Sequence, residues 1–330
     1  MKLLVTGCHG FIGSHFVKET LDNHSEHSIV GITRNSSPRH SHRLDTTQRI
    51  FDDHIGGSFE LKIADLTGDI SGLLEGIDVV VNFAAKTFVD HSIKDPLPFI
   101  NSNILGTYNL LEEARRYRPR LFVQVSTDEV YGSILNGAYT ESAPLNPTNP
   151  YSSTKAAADM LVVSYGNTYK LPYIITRTEN NYGHWQHPQK VFPTFVKKAL
   201  NNEPLPVYGD GKHRRMWLRV EDHCKAIWHL IKLYGSNNLI PGPVGNHIYH
   251  IAGEQELENL ELAEMILGIL GKPKDMVRFI EDHNIRPGHD RRYALNVDKL
   301  KSTGWAPTWP LQAGVRDAVE WYRDNLWWLQ

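Results

Sequence analysis

The sequence predicts an α/β protein with a Rossmann-type, doubly wound parallel sheet and a smaller mixed α/β unit toward the C-terminus. Three observations carry this expectation. Short apolar runs alternate with longer amphipathic stretches through the first half. Those runs are apolar throughout (Asp-Val-Val-Val-Asn-Phe, Leu-Phe-Val-Gln-Val), as when both faces of a strand are buried. A glycine-rich turn joins the first run to the first amphipathic stretch.

The runs that predict strands are 2–6, 28–33, 59–63, 78–83, 121–126 and 172–177. Helices are predicted over 11–22, 98–116 and 152–169, where apolar residues recur at helical spacing. The polar segment 35–53 reads as a long surface loop. After Asn180 the pattern loosens and prolines recur, so that strands are harder to place. A last helix is predicted over 311–328. The expected division is 1–180 for dinucleotide binding and 181–330 mainly for substrate, the chain returning to the main sheet near 221–251.

Composition narrows the class. The 330 residues carry 37 acidic and 35 basic side chains, a net charge of -2, so nothing electrostatic favours nucleic acid or an anionic membrane as partner. No stretch approaches the ~20 apolar residues of a membrane span. Cys8 and Cys224 are the only cysteines, a usage that fits a reducing compartment, and a cytoplasmic location is expected. No metal site is expected.

Gly7, Gly10 and Gly13 follow the first strand and open the first helix, in the spacing Gly-x-x-Gly-x-x-Gly. Glycines there permit a tight turn and let backbone approach a pyrophosphate, which the helix N-terminus then faces; Phe11 and Ile12 complete that edge. The second strand would end on a carboxylate if it held the adenosine ribose of NAD. It runs instead into Thr33, Arg34 and Asn35. A hydroxyl and a guanidinium suit a 2′-phosphate, so that between NAD and NADP the expectation is NADP. Asp65, with Leu66 beside it, is a candidate acceptor for an adenine amino group, and Ala84 and Ala85 offer a small-residue bed under the cofactor.

Tyr151 and Lys155 stand four apart on one helix face. An ammonium beside a phenol is expected to lower its pKa, so that the tyrosine removes a hydroxyl proton while hydride leaves the same carbon. At a strand's carboxyl end lie Thr127, Asp128 and Glu129. Thr127 is placed to bind the reacting hydroxyl. Elimination of water needs one group to take a carbon-bound proton and another to protonate the departing hydroxyl, and two adjacent carboxyls with separated pKa values serve both.

The glycine spacing together with Tyr-x-x-x-Lys resembles the extended short-chain dehydrogenase/reductase superfamily. The string Thr-Asp-Glu-Val-Tyr-Gly at 127–132 resembles that of the nucleotide-sugar 4,6-dehydratases, most closely the dTDP-glucose 4,6-dehydratases. Further similar blocks are Phe88-Val-Asp-His-Ser-Ile93, Asn180-Asn-Tyr-Gly183, Val220-Glu-Asp-His223 and Arg286-Pro-Gly-His-Asp290. The resemblance implies three steps. Tyr151, aided by Thr127 and Lys155, takes the sugar O4 proton as C4 is oxidised. Glu129 takes the C5 proton while Asp128 protonates the leaving O6. Reduction at C6 then yields a 4-keto-6-deoxy sugar.

It also implies an NDP-hexose substrate, with dTDP-glucose first and UDP-, CDP- or GDP-hexoses as alternatives. Asn180, Asn181, Lys190, Tyr208, Arg215, Arg286 and His289 would hold the nucleotide end, and dimerisation through helices around 101–116 and 152–169 is expected. Rival readings are a nucleotide-sugar 4-epimerase or decarboxylase on the same scaffold, opposed by the Asp128-Glu129 pair those reactions do not need, and a catalytically silent NADP-binding regulator, opposed by the intact Thr127, Asp128, Glu129, Tyr151 and Lys155. The chain departs from the resembling pattern at Thr33, Lys86-Thr87, Glu179, Met216 and Arg219.

Overall fold

Seven parallel strands form the main sheet of the computed structural model, which describes residues 1–34, 51, 58–235, 247–281 and 290–330. They are β1 (Lys2–Thr6), β2 (Ser28–Thr33), β3 (Phe59–Ile63), β4 (Val79–Asn82), β5 (Leu121–Thr127), β6 (Tyr173–Thr178) and β10 (Ile248–Ile251). Their order, β10-β6-β5-β4-β1-β2-β3, reverses between β1 and β4, and a crevice opens there at the carboxyl ends. The predicted fold class is the one observed, with the first three strands at the boundaries read from the sequence. The expected loop at 35–53 lies outside the described residues apart from Phe51, which packs its ring 5.0 Å from that of Phe59.

The strands are apolar on both sides because helices cover both faces. Leu3, Val5, Val79, Val81, Val123 and Val125 face the helices Phe11–Asn23 and Val220–Gly235, where Phe16 stacks on Trp228 at 5.7 Å. Leu4, Val80 and Phe122 face the opposite way, onto the helices Gly106–Tyr117 and Pro150–Tyr169. The predicted helix at 98–116 proves interrupted: a turn of wider, π-type helix, Ile100–Leu105, precedes Gly106–Tyr117. Behind the sheet's end, Arg177 on β6 pairs with Asp159 at 3.0 Å and donates to the Tyr131 hydroxyl at 2.6 Å, all three buried.

The remaining strands are β7 (Asn180–Tyr182), β8 (Leu205–Tyr208), β9 (Arg214–Arg219), β11 (Glu256–Glu258) and β12 (Val277–Ile280). β9 lies between β7 and β11, while β8 pairs with β12. They gather around Phe192, Phe195, Trp217 and Tyr322, with the helices Val191–Leu200, Asn259–Ile269 and Leu311–Asp324. The last helix stops short of the predicted Trp328, giving way to a tighter turn over Leu326–Leu329. Arg219, one of the departures from the resembling pattern, is buried. Its guanidinium lies 4.7 Å from the Trp309 ring centre and donates to Glu221, Asp317 and the Gly314 carbonyl, tying β9 to the final helix.

Candidate active site

The glycine turn sits where β1 meets the first helix. Gly7 has φ +65°, and a methyl on it would stand 3.1 Å from the Ala84 nitrogen. One on Gly13 would stand 2.3 Å from the Gly7 carbonyl oxygen, so side chains are excluded where a dinucleotide backbone would lie. Gly10 caps the helix without a side-chain bond, leaving its first-turn amides to an anion. Thr6 donates to Asn82 at 2.6 Å and accepts from the Ala84 amide at 3.1 Å, fixing the small-residue bed. These features fit a nicotinamide dinucleotide.

Thr33, Arg34, Asp65, Leu66, Ala84 and Ala85 line a cavity of about 830 Å³ beside the glycine turn, together with Lys86, noted as a departure from the resembling pattern, and His9 and Ser102, which the sequence reading did not single out. Asp65 Oδ1 accepts from the amide and the hydroxyl of Thr67 at 2.9 and 2.8 Å, and the amide bond foremost holds the carboxyl below its usual range. Asn35, Arg286 and His289 lie outside the described residues.

A second cavity of about 390 Å³ shares Gly7, Gly10 and Ala85 with the first and is lined by Phe11, Ile12, Gly13, Thr127, Asp128, Glu129, Tyr151 and Lys155. The phenol on a helix and the two acids at the tip of β5 thus converge on one space. Thr127 donates to Asp128 Oδ1 at 2.9 Å and accepts from the Glu129 amide at 3.3 Å, which folds the strand end into a short turn. Burial first, and the charge of Glu129 second, push Asp128 up to about 8, leaving it protonated at neutral pH. A donor and an acceptor therefore stand side by side.

Asn149, also not singled out beforehand, holds this arrangement together. Its carboxamide oxygen caps the Tyr151 helix by accepting from the Ser152 amide at 2.9 Å, while its nitrogen donates to Glu129 Oε2 at 3.4 Å. The Asn-Pro dipeptide before the helix was the available signal, an N-cap followed by proline at the first helical position. Ser92, in the Phe88–Ile93 block, accepts from the Tyr151 amide at 3.1 Å.

The expected depression of the Tyr151 phenol by Lys155 is corrected by the structure. Lys155 donates to the Val125 carbonyl at 2.7 Å, and burial lowers it to about 8, with Asp159 pulling the other way. Tyr151 is itself raised, first by burial and then by the charge of Glu129, with the Thr127 hydroxyl opposing. In a desolvated site lined by acids, those terms outweigh an ammonium already engaged elsewhere.

A third cavity, about 260 Å³, adjoins the second through Glu129, Asn180 and Lys190 and is lined by Tyr208 and Arg215, with Asp290 and Tyr293 as additions. Arg215 stacks 4.3 Å from the Tyr293 ring centre and donates to the Asp290 carbonyl at 2.9 Å. Lys190 Nζ lies 4.4 Å from the Phe88 ring centre and donates to the Thr87 carbonyl at 2.9 Å. Both asparagines line the second cavity, and Asn180 lines the third as well. Asn181 spends its amide on Thr178 and the Glu179 carbonyl, at 3.1 and 3.0 Å, and bonds His223 at 3.1 Å. No helix among the described residues is long and apolar enough to cross a membrane. No cluster of three metal-ligating side chains occurs among them.

Comparison with known proteins agrees with this geometry. The chain is 43% identical over 324 residues to the low-salt glycan biosynthesis protein Agl12 of Haloferax volcanii, covering 98% of each protein. It is 42% identical to a dTDP-glucose 4,6-dehydratase of Streptomyces niveus, covering 99% of this chain and 95% of that protein. Among solved structures, the dTDP-glucose 4,6-dehydratase DesIV of Streptomyces venezuelae, with NAD bound, superposes with a TM-score of 0.88 at 37% identity, covering 100% of this chain and 99% of that one. The UDP-glucuronic acid 4-epimerase of Bacillus cereus, in complex with UDP-glucuronic acid and NAD, gives 0.87 at 27%, covering 98% and 100%. The family model for GDP-mannose 4,6 dehydratase matches residues 4–318, and the chain belongs to that family.

Proposed function

We propose that the protein is a nucleotide-sugar 4,6-dehydratase that converts an NDP-hexose, dTDP-glucose first, to its 4-keto-6-deoxy derivative. The carrying observation is the Asp128–Glu129 pair opening into the same cavity as Tyr151 and Lys155. Thr127 and Tyr151 hold the O4 hydroxyl, and Tyr151 receives its proton. A bound nicotinamide supplies the hydride acceptor, a positive charge that favours the phenolate, and later the donor. Ketone formation at C4 acidifies C5, whose proton passes to Glu129. Asp128, protonated at rest, gives its proton to O6 so that it leaves as water. Asn180, Lys190, Tyr208 and Arg215 receive the nucleotide diphosphate. An epimerase on this scaffold requires no acid beside a base at this strand tip, and the pair therefore favours dehydration.

The nicotinamide cofactor is read as NADP, because Arg34 stands exposed at the rim of the adenosine cavity and β2 ends without a carboxylate. Thr33→Asp should then shift preference toward NAD, measured as the ratio of affinities; a wild-type preference for NAD would refute the reading. A homodimer is supported by the exposure of Leu105, Tyr108 and Met160 on the helices bordering the sheet. Incubation with dTDP-, UDP-, CDP- and GDP-hexoses, followed by the alkali-induced absorbance of 4-keto products, tests the activity. Product from dTDP-glucose is expected, and none from any of the four would refute the dehydratase reading.

A further inference from the structure

Among the departures from the family pattern, Thr87 and Glu179 line the catalytic cavity, and of the two only Glu179 is ionisable. It is 3% exposed, and its Oε2 accepts from the Met216 amide of β9 at 2.8 Å. The pairing of β5 with β6 sets Thr127 opposite Thr178, so the next residue on each strand, Asp128 and Glu179, leave the sheet side by side. Both carboxyls are buried; Asp128 Oδ2 and Glu179 Oε1 lack a partner within hydrogen-bond distance among the described residues, although the Leu295 backbone, like that of Met216, favours the Glu179 carboxylate. A buried carboxylate oxygen without a donor is costly, and two such oxygens on adjoining groups are satisfied together by one proton between them.

We propose that Glu179 is a positioning residue of the elimination step, sharing a proton with Asp128 so that Asp128 enters the step as the acid and is recharged after it. This rests on the dehydratase reading and deepens it. The C5–H electron pair becomes the C5–C6 double bond, Glu129 takes that proton, the C6–O6 bond breaks, and O6 departs with the Asp128 proton as water. Asp128 is left as a carboxylate. Its replacement proton balances the one that Tyr151 removed from O4, since the C5 proton on Glu129 returns to C5. Glu179 is the buried neighbour able to hold that replacement between turnovers.

The surroundings agree. The charged and titratable groups facing the pair are Glu129 from the β5 turn, Arg215 from β9, Tyr151 from its helix, and Tyr293. Arg215 stabilises negative charge on both acids, but it is already stacked on Tyr293. Glu179 is held well above the carboxyl range, first by burial and then by the charge of Asp128. Burial and mutual repulsion disfavour two negative charges on the pair, so at neutral pH at least one of the two acids keeps a proton.

The test is the pH profile of elimination in Glu179→Gln and Glu179→Ser, compared with cofactor reduction in the same protein. Removing the like charge lets Asp128 lose its proton more readily. The alkaline limb of elimination should therefore fall at a pH lower by about one unit or more in both variants. C4 oxidation should persist, so that reduced cofactor accumulates on the alkaline side. An unmoved limb overturns the proposal, and so does a uniform loss of rate with the profile's shape intact, the signature of mere packing. Infrared spectra of the wild-type protein supply a reading that needs no variant: a protonated buried carboxyl band at neutral pH is expected, and its absence overturns the proposal. Wild-type protein inactive on every nucleotide hexose would instead fail the dehydratase reading.

Discussion

Replacing Asn149 separates its two tasks. Asn149→Ala removes the 2.9 Å cap to the Ser152 amide and the 3.4 Å bond to Glu129 together. Loss of an N-cap costs about 1 kcal/mol, and leaving the amide of a fully buried Ser152 unpaired brings the total to about 1–2 kcal/mol. At ~2–4 °C per kcal/mol for a domain of some 150–250 residues, Asn149→Ala should melt several degrees lower. Asn149→Ser keeps a competent cap and loses only the donor to Glu129, so its Tm should stay within about 1 °C. A hydrogen bond to a charged group contributes about 1.5–3 kcal/mol, and the long 3.4 Å contact belongs at the lower end. Elimination in Asn149→Ser should therefore slow roughly tenfold while C4 oxidation is unchanged. Rapid-mixing absorbance of the reduced cofactor separates the two steps. A serine variant that eliminates at the wild-type rate, or that slows both steps equally, refutes the role given to the cap.

Other perturbations probe different parts of the site. Glu129→Gln should reduce elimination by ~10²–10⁴-fold and leave bound cofactor reduced; unchanged turnover would remove Glu129 from its role. Gly13→Ala drives a methyl to 2.3 Å from a backbone oxygen that cannot move aside, so cofactor retention through purification should be lost, and retention at the wild-type level contradicts the cradle. Burial foremost lowers His15, His223 and His250 to about 4, 3 and 3, below the value of 6.5 they regain on unfolding. The unfolded chain then binds more protons below that value, so the stability these neutral rings contribute is present above pH 6.5 and lost as pH falls toward 4 and 3. A melting midpoint that stays flat across that window counts against it. Arg219→Met should destabilise by about 2–3 kcal/mol, since Glu221 and Asp317 lose a shared guanidinium; a denaturation midpoint equal to wild type would show the brace to be idle.

Much of the architecture was legible because its signals are local. Continuous apolar runs marked the strands of a sheet buried on both sides, and the glycine turn announced itself between β1 and the first helix. What escaped was set by side chains meeting across distance. Asn149 reads as a helix cap, and nothing in its neighbours shows that its amide nitrogen turns to Glu129. Tyr293, which no sequence motif singles out, is buried beneath Arg215. Asn180 and Asn181 are indistinguishable in sequence; both reach the second cavity, but Asn180 extends to the third while Asn181 bonds Thr178 and His223.

The sequence by itself determined the order of elements, the dinucleotide turn and the residue types available for acid–base chemistry, because periodicity and motif spacing reside in neighbouring residues. Only the tertiary structure decided the protonation states. Tyr151 and Lys155 are four apart in any helix, but a dry cavity lined with acids raises the phenol and lowers the ammonium. Strand register likewise set Glu179 against Asp128, although fifty residues of chain separate them. Desolvation and charge act through space, and distance in space exists only once the chain has folded.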